Sequence, residues 1–437
     1  MKPGNKYYIR KRVFVLCLFI SSLLTIGAAP LKKPNVSNNT SAHSQASVID
    51  YGAIGDGIHD DTNSFVSALQ ANKGGSLYIP SGTYIISSPL HIPEGITIFG
   101  DGDSSVIMAA PDYGIGKNLL YLFDSNNVSV KNIAVSGNIQ YNTREAGYSA
   151  HDGIHLFDIW RSNNITITSC SFIDNVYAAI RLALDCSNIS VDNCNFLNVD
   201  CGVIALGKGN VDSLTISNSL FDGHLSSEPV SLFGSGNYTN ILISNNIIQN
   251  KTYGCAIICC NGPVQNITIV DNQIYNNCVG ITLKNATDVK ICRNVIDFYY
   301  SKDISRGRGL EIKYCSNVTI CDNTISNTNM QGFYVKSCSN VKAYNNTIKN
   351  CGYSGKEYHA VDFRETCENV VFYNNTIIRS DDSLSTYSLV THCIGSTRIT
   401  NNTFVNSNIL LESDSENVYL EGNNASIKNY SDLNIIN

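Results

Sequence analysis

The sequence predicts an all-β fold, a right-handed parallel β-helix of roughly a dozen coils with a short N-terminal capping helix. Three observations predict it. A motif, Asn-[Ile/Val]-x-[Ile/Val], recurs along the chain. Its interval varies, from 22 residues (266 to 288) to 29 (288 to 317). Within each repeat the apolar residues alternate with period two, which means short strands and not helices.

The motif opens the first strand of a coil, as in Asn164-Ile-Thr-Ile, Asn188-Ile-Ser-Val, Asn240-Ile-Leu-Ile, Asn266-Ile-Thr-Ile, Asn317-Val-Thr-Ile and Asn369-Val-Val-Phe. A turn asparagine follows: Asn246, Asn272, Asn294, Asn323, Asn346, Asn375 and Asn402. Asparagine tolerates the left-handed backbone of a sharp turn. At one coil spacing, ~4.8 Å, such side chains can bond to each other in a ladder. The second strand is a short x-[Ile/Phe] pair. The third usually opens with glycine, as in Gly153-Ile-His-Leu, Gly280-Ile-Thr-Leu, Gly309-Leu-Glu-Ile and Gly332-Phe-Tyr-Val. Length variation sits before this third strand, and repeats tend to place insertions on the binding face.

Cysteines follow the columns: Cys170 with Cys194, Cys292 with Cys321, and Cys186, Cys315, Cys338 and Cys367 at a shared position. They read as small buried hydrophobes in stacks, or as disulfides between a few neighbouring coils. The segment Asp60-Asp61-Thr62, followed by Ser64 to Leu69, reads as a capped helix closing the N-terminal end.

A chain of 437 residues exceeds one ordinary compact core, a limit that a stack of coils escapes. Only 15% of residues are charged and the net charge is −6, which argues against a nucleic-acid partner. Lys2, Lys6, Arg10, Lys11 and Arg12 precede an apolar run, Val13 to Ile26, and the small residues Gly27-Ala28-Ala29. Residues 1–29 therefore read as an export signal or an uncleaved anchor. Residues 30–46 read as a polar linker, 47–426 as the β-helix and 427–437 as a C-terminal cap or tail. The protein is expected to be secreted or at the cell surface, touching membrane only through such an anchor.

The run Val48-Ile-Asp-Tyr-Gly-Ala-Ile-Gly-Asp-Gly-Ile-His-Asp-Asp-Thr62, with Gly74-Gly-Ser-Leu-Tyr-Ile-Pro-Ser-Gly-Thr-Tyr84, resembles the N-terminus of the pectate-lyase-like superfamily. That superfamily includes polygalacturonase-like and rhamnogalacturonase-like hydrolases, alginate epimerases and phage tailspikes. The resemblance implies the right-handed β-helix, which the handedness of β crossovers independently favours. It also implies a polysaccharide groove along the third-strand sheet. The superfamily's activity motifs do not carry over. Asp152-Gly-Ile lacks a preceding Asn-Thr, no Gly-His-Gly is present, and Asp381-Asp382 lies in a late insertion. The Tyr-Gly-Phe-Asp-Pro-His run of the epimerases falls on Tyr177-Ala-Ala-Ile-Arg-Leu, which places Ile180 and Leu182 where Asp and His would stand.

Alternation on the third strand turns Leu310 and Ile312 inward and Glu311 and Lys313 outward. In successive coils the second outward position is Lys284, Lys313, Lys336 and Arg364. Such a row suits the carboxylates or sulfates of a sugar chain, although it also reads as a solvated basic strip whose side chains splay into water. The first outward position holds Thr282, Glu311, Tyr334 and Asp362. Glu311 and Asp362, two coils and so ~9.6 Å apart, have a spacing open to inverting glycoside hydrolysis. A lyase would use Lys313 or Lys336 as base and a neighbouring cation to neutralise the uronate. Calcium bridging through Glu311 and Asp362 is a third option. Tyr299 and His359 come from the insertions. An earlier cluster holds Asp152, His155, Asp158 and Arg181, with His155 and Arg181 expected in one outward column; His with a carboxylate there reads as an acid–base pair or a metal site, and Arg181 as a binding residue. Asp152-Gly also reads as a plain turn.

These observations point to an exported protein acting on an acidic polysaccharide by lyase or hydrolase chemistry. The alternative is a non-catalytic glycan-binding or cell-envelope protein. Candidate catalytic residues are Glu311, Asp362, Lys313, His155 and Asp152. Candidate binding residues are Lys284, Lys336, Arg364, Tyr334, Arg181, His359 and Tyr299.

Overall fold

A computed structural model describes residues 45–431, apart from 115, 144–152, 224–226, 251–253, 276–278, 299–306, 354, 356–357, 381–386 and 394. The export signal, most of the linker, Asp152, Tyr299 and the Asp381-Asp382 pair lie outside the described residues.

Among the described residues, fourteen first strands stack as one parallel sheet. The second and third strands form two further faces. They merge into one 26-stranded sheet because Ser171–Ala183 and Asn195–Ala205 run through the corner without a break. The result is a parallel β-helix. Glycines that open third strands sit close against the following coil. A Cβ at Gly309 would lie 2.5 Å from Ile325 Cγ2, and one at Gly332 would lie 2.8 Å from Ile348 Cγ2. The interior is a column of fully buried Ile, Val, Leu and Phe side chains, including the stack Phe172, Phe196 and Phe221 with centroids 5.2 and 4.4 Å apart.

The asparagine ladder is present and buried. Each Nδ2 donates to Oδ1 of the next rung at 2.9–3.0 Å, from Asn246 through Asn402 to Asn423. Each Oδ1 also accepts the backbone N–H of the preceding rung, as Asn323 does from Asn294 at 2.9 Å. The ladder asparagines do not take the left-handed backbone themselves. The residue before each does: Asn245, Asp271, Arg293, Asp322, Asn345, Asn374 and Asn401. A second, exposed ladder forms where the motif asparagines are left-handed, as Asn266 to Asn240 at 2.7 Å and Asn340 to Asn317 at 3.0 Å.

Cys292 and Cys321 form a disulfide on the outside of the first-strand sheet, beside Val270. Cys170, Cys194, Cys315, Cys338, Cys367 and Cys393 remain free thiols buried in the interior. Both readings of the cysteine columns are therefore realised, each on a different side of a sheet.

Helix Thr62–Ala71 covers the N-terminal end, burying Phe65, Ala68 and Leu69. Asp61 does not cap it. Its carboxylate instead accepts the backbone N–H groups of Ile54 and Gly55 at 2.6 and 3.1 Å, fixing the preceding loop. The last coil runs past the expected boundary at 426, because Ile427–Asn429 pairs with the preceding third strand. No helix among the described residues is long and apolar enough to cross a membrane.

Candidate functional site

On the third-strand face the residue pairing gives two outward columns. The first reads Tyr121, Asp158, Arg181, Ile204, Ser231, Ile258, Thr282, Glu311, Tyr334, Asp362 and Val390. The predicted order Thr282, Glu311, Tyr334, Asp362 is present, and so is the row Lys284, Lys313, Lys336, Arg364 in the second column. The two columns differ in exposure. Much of the first is buried although its side chains leave the coil interior, with Asp158, Thr282, Asp362 and Val390 all covered. The second column stays partly exposed along the cationic row.

The carboxylates are tied to the cations. Glu311 pairs with Lys313 and accepts from Arg308 Nη1 at 2.8 Å. Arg308 Nε donates to Gln331 Oε1 at 2.9 Å, and Gln331 Nε2 donates to Asp362 Oδ2 at 3.1 Å. Arg364 Nε donates to both oxygens of Asp362 at 3.0 and 2.8 Å. Lys336 pairs with Glu365 at 2.5 Å. Among the described residues these contacts join Arg308, Lys313, Lys336 and Arg364 to Glu311, Asp362 and Glu365, and Glu228 is a fourth carboxylate on the Lys284 side. Lys284 is the row member that forms no ion pair with a described residue.

These contacts correct several expected roles. Burial pushes Glu311 up, but the Lys313 hydrogen bond and the charges of Lys313, Arg308 and Lys284 outweigh it, so its pKa is lowered and it is a poor proton donor. Asp362, with 0% of its side chain exposed, is covered by its partners Arg364 and Gln331. The hydrogen bond from Lys336 to Glu365 raises the lysine pKa, opposite to the lowering that a lysine base needs. Tyr334 is no open stacking platform, because Arg308 sits 4.2 Å and Lys313 5.3 Å from its ring centre. His359 meets the Tyr387 carbonyl at 2.8 Å through Nδ1, and burial lowers its pKa, so it adds no cation at neutral pH.

In the earlier cluster, His155 and Arg181 do not share a column. Asp158 is in register with Arg181 and accepts from its Nε and Nη2 at 2.7 and 2.5 Å, while His155 pairs with Asn118 and packs edge-on against Tyr177 at 4.9 Å. Assigning His155 to the Arg181 column misplaced it by three residues. Arg181 also lies 5.0 Å from the centre of the Trp160 ring.

Calcium does not fit Glu311 and Asp362. Tyr334 stands between them, and both carboxylates are already surrounded by guanidinium, ammonium or amide donors that repel a dication.

Residues 45–301 match the family described as rhamnogalacturonase A/epimerase, pectate lyase-like. The chain belongs to this family. Residues 294–425 match the right-handed β-helix region, which fixes the hand of the coil. Among curated relatives, the pre-neck appendage protein of Bacillus phage phi29 is 31% identical over 33% of this chain and 16% of its own length. Plasmin and fibronectin-binding protein A of Streptococcus pneumoniae is 27% identical over 57% of this chain and 39% of its own length. The chain thus spans well under two thirds of either relative. Among solved structures, the A-module of an Azotobacter vinelandii mannuronan C-5 epimerase superposes with a TM-score of 0.54 at 16% identity, covering 87% of this chain and 99% of that one. That likeness concerns the fold. In this pectate lyase-like family member, Ile180 and Leu182, at the epimerase Asp and His positions, are buried core residues.

Sequence reasoning gave Arg308 no role and missed Gln331 and Glu365 altogether. The signal for the first two was their place just before third strands, where a side chain can fold back over the first column. Glu365 occupies the turn after Arg364 with φ 58°, a turn chemistry that residue type alone does not announce.

Proposed function

We propose that this chain is a secreted or surface β-helix that binds an acidic glycan along the second outward column of its third-strand face. One observation carries the reading: Lys284, Lys313, Lys336 and Arg364 stand in unbroken register, one per coil, with more cations than carboxylates around them. At ~4.8 Å per coil the row runs parallel to an extended sugar chain. The phage appendage and the pneumococcal binding protein are relatives consistent with a surface role.

Cleavage at Glu311, Asp362 and Lys313 is the second reading, favoured by the partial exposure of Glu311 beside Lys313. It lacks an acid: Glu311 is held ionised and Asp362 is covered. Inverting hydrolysis requires one carboxylic acid with a raised pKa.

Calorimetric titration of the purified chain with de-esterified oligogalacturonate, hyaluronate and a sulfated glycan tests the proposal. Binding that weakens with salt and with Lys284→Gln supports it. No binding across the three removes it.

A further inference from the structure

Resting on that reading, we infer that the ligand is a sparsely charged glycan in which one or two acidic residues adjoin a run of uncharged ones. The second outward column does not stay cationic. Towards the N-terminus the paired strands end at Leu283, Cys259, Leu232, Ala205 and Leu182; the residues that follow are Lys284, Cys260, Phe233, Leu206 and Ala183, and Ala183 pairs with Trp160 and Trp160 with Phe123. Half of the same track is thus uncharged and largely apolar. Phe233 and Phe123 are 45% and 44% exposed, too much for residues whose purpose is packing. Cys260, between Phe233 and Lys284, is buried and adds no surface, so Phe233 is the exposed apolar residue next along this column from the first cation. The arginines beside this half are neutralised: Arg161 by Asp124 and Arg181 by Asp158. They lie over Phe123 at 4.3 Å and over Trp160 at 5.0 Å, so Phe233 is the aromatic side chain of this half that is left to meet a sugar ring.

The charge balance points the same way. Lys284 forms no ion pair with a described residue, so it can meet a ligand anion at the cationic half. A fully charged polyuronate lying along both halves would place its remaining carboxylates on Leu206 and Phe233, where they would lose water and gain no partner. Uncharged sugar rings or esterified uronates present apolar C–H faces there. The acidic end belongs on Lys284 and Lys313 and the uncharged run on Phe233 and Leu206.

Three hexagalacturonates test this by calorimetry on the full chain: fully acidic, fully methyl-esterified, and esterified on four residues with two free carboxylates at one end. The expected result is that the last binds at least tenfold more tightly than either uniform probe. Phe233→Ser, at an exposed position that leaves the core intact, removes that gain and leaves the fully acidic probe unchanged. Equal or tighter binding of the fully acidic probe, insensitive to Phe233→Ser, overturns the inference while leaving acidic-glycan binding in place. Binding of none of the three overturns both.

Discussion

Asp158 and Arg181 face each other across neighbouring coils, two hydrogen bonds joining a guanidinium to a carboxylate that is 0% exposed. The guanidinium also lies over the Trp160 ring, 5.0 Å from its centre. Removing one member strands the other. Asp158→Asn is expected to destabilise the chain by about 3 kcal/mol, read as a lower denaturant midpoint, because breaking a buried pair costs more than the pair contributes.

The buried ladder predicts a comparable effect with a different cause. Asn294 accepts from Asn272 N–H at 3.0 Å and donates to the Ile269 carbonyl at 2.9 Å and to Asn323 Oδ1 at 3.0 Å. Asn294→Leu leaves a buried N–H and a carbonyl unpaired, at about 1–3 kcal/mol each. Hydrogen exchange should accelerate first at coils 272 to 323, since coils couple only to their neighbours.

Most of the fold was legible in the sequence because each coil repeats the same local chemistry. Asn before Ile, alternation, and Gly before the third strand each reflect one physical need, and the column order of Lys284, Lys313, Lys336 and Arg364 followed from them. The candidate site was less legible. Burial of Asp362 depends on Gln331 and Arg364 folding over it, and the side of the sheet on which Cys292 lies depends on one residue of alternation. The misplacement of His155 has the same origin: a column assignment fails when a strand start is uncertain by a few residues.

Acid should weaken the site with a definite sign. The folded pKa of Glu311 is below its ordinary 4.5, so its ion pairs stabilise the fold above that value, and the contribution is lost as pH falls through the lowered folded value. Glu311→Gln is expected to flatten the pH dependence of the melting temperature below about pH 4.5. An unchanged slope would remove Glu311 from the network.

Under denaturing, non-reducing alkylation, Cys292 and Cys321 should remain linked and unlabelled while Cys315 and Cys338 take the label. Peptide mapping reads this directly. Reduction is expected to cost about 3.5 kcal/mol for a loop of this length.

The central claim is that the third-strand face binds an acidic glycan through cations that Glu311, Asp362 and Glu365 only partly neutralise. The most direct measurement is Glu311→Gln beside the unsubstituted chain, with affinity for a partly esterified oligogalacturonate and release of reducing ends followed in the same samples. The account predicts tighter binding, about threefold or more, because Lys313 and Arg308 lose their internal partner. Cleavage by the unsubstituted chain that disappears in Glu311→Gln, with affinity unchanged, would contradict it and make Glu311 a catalytic residue.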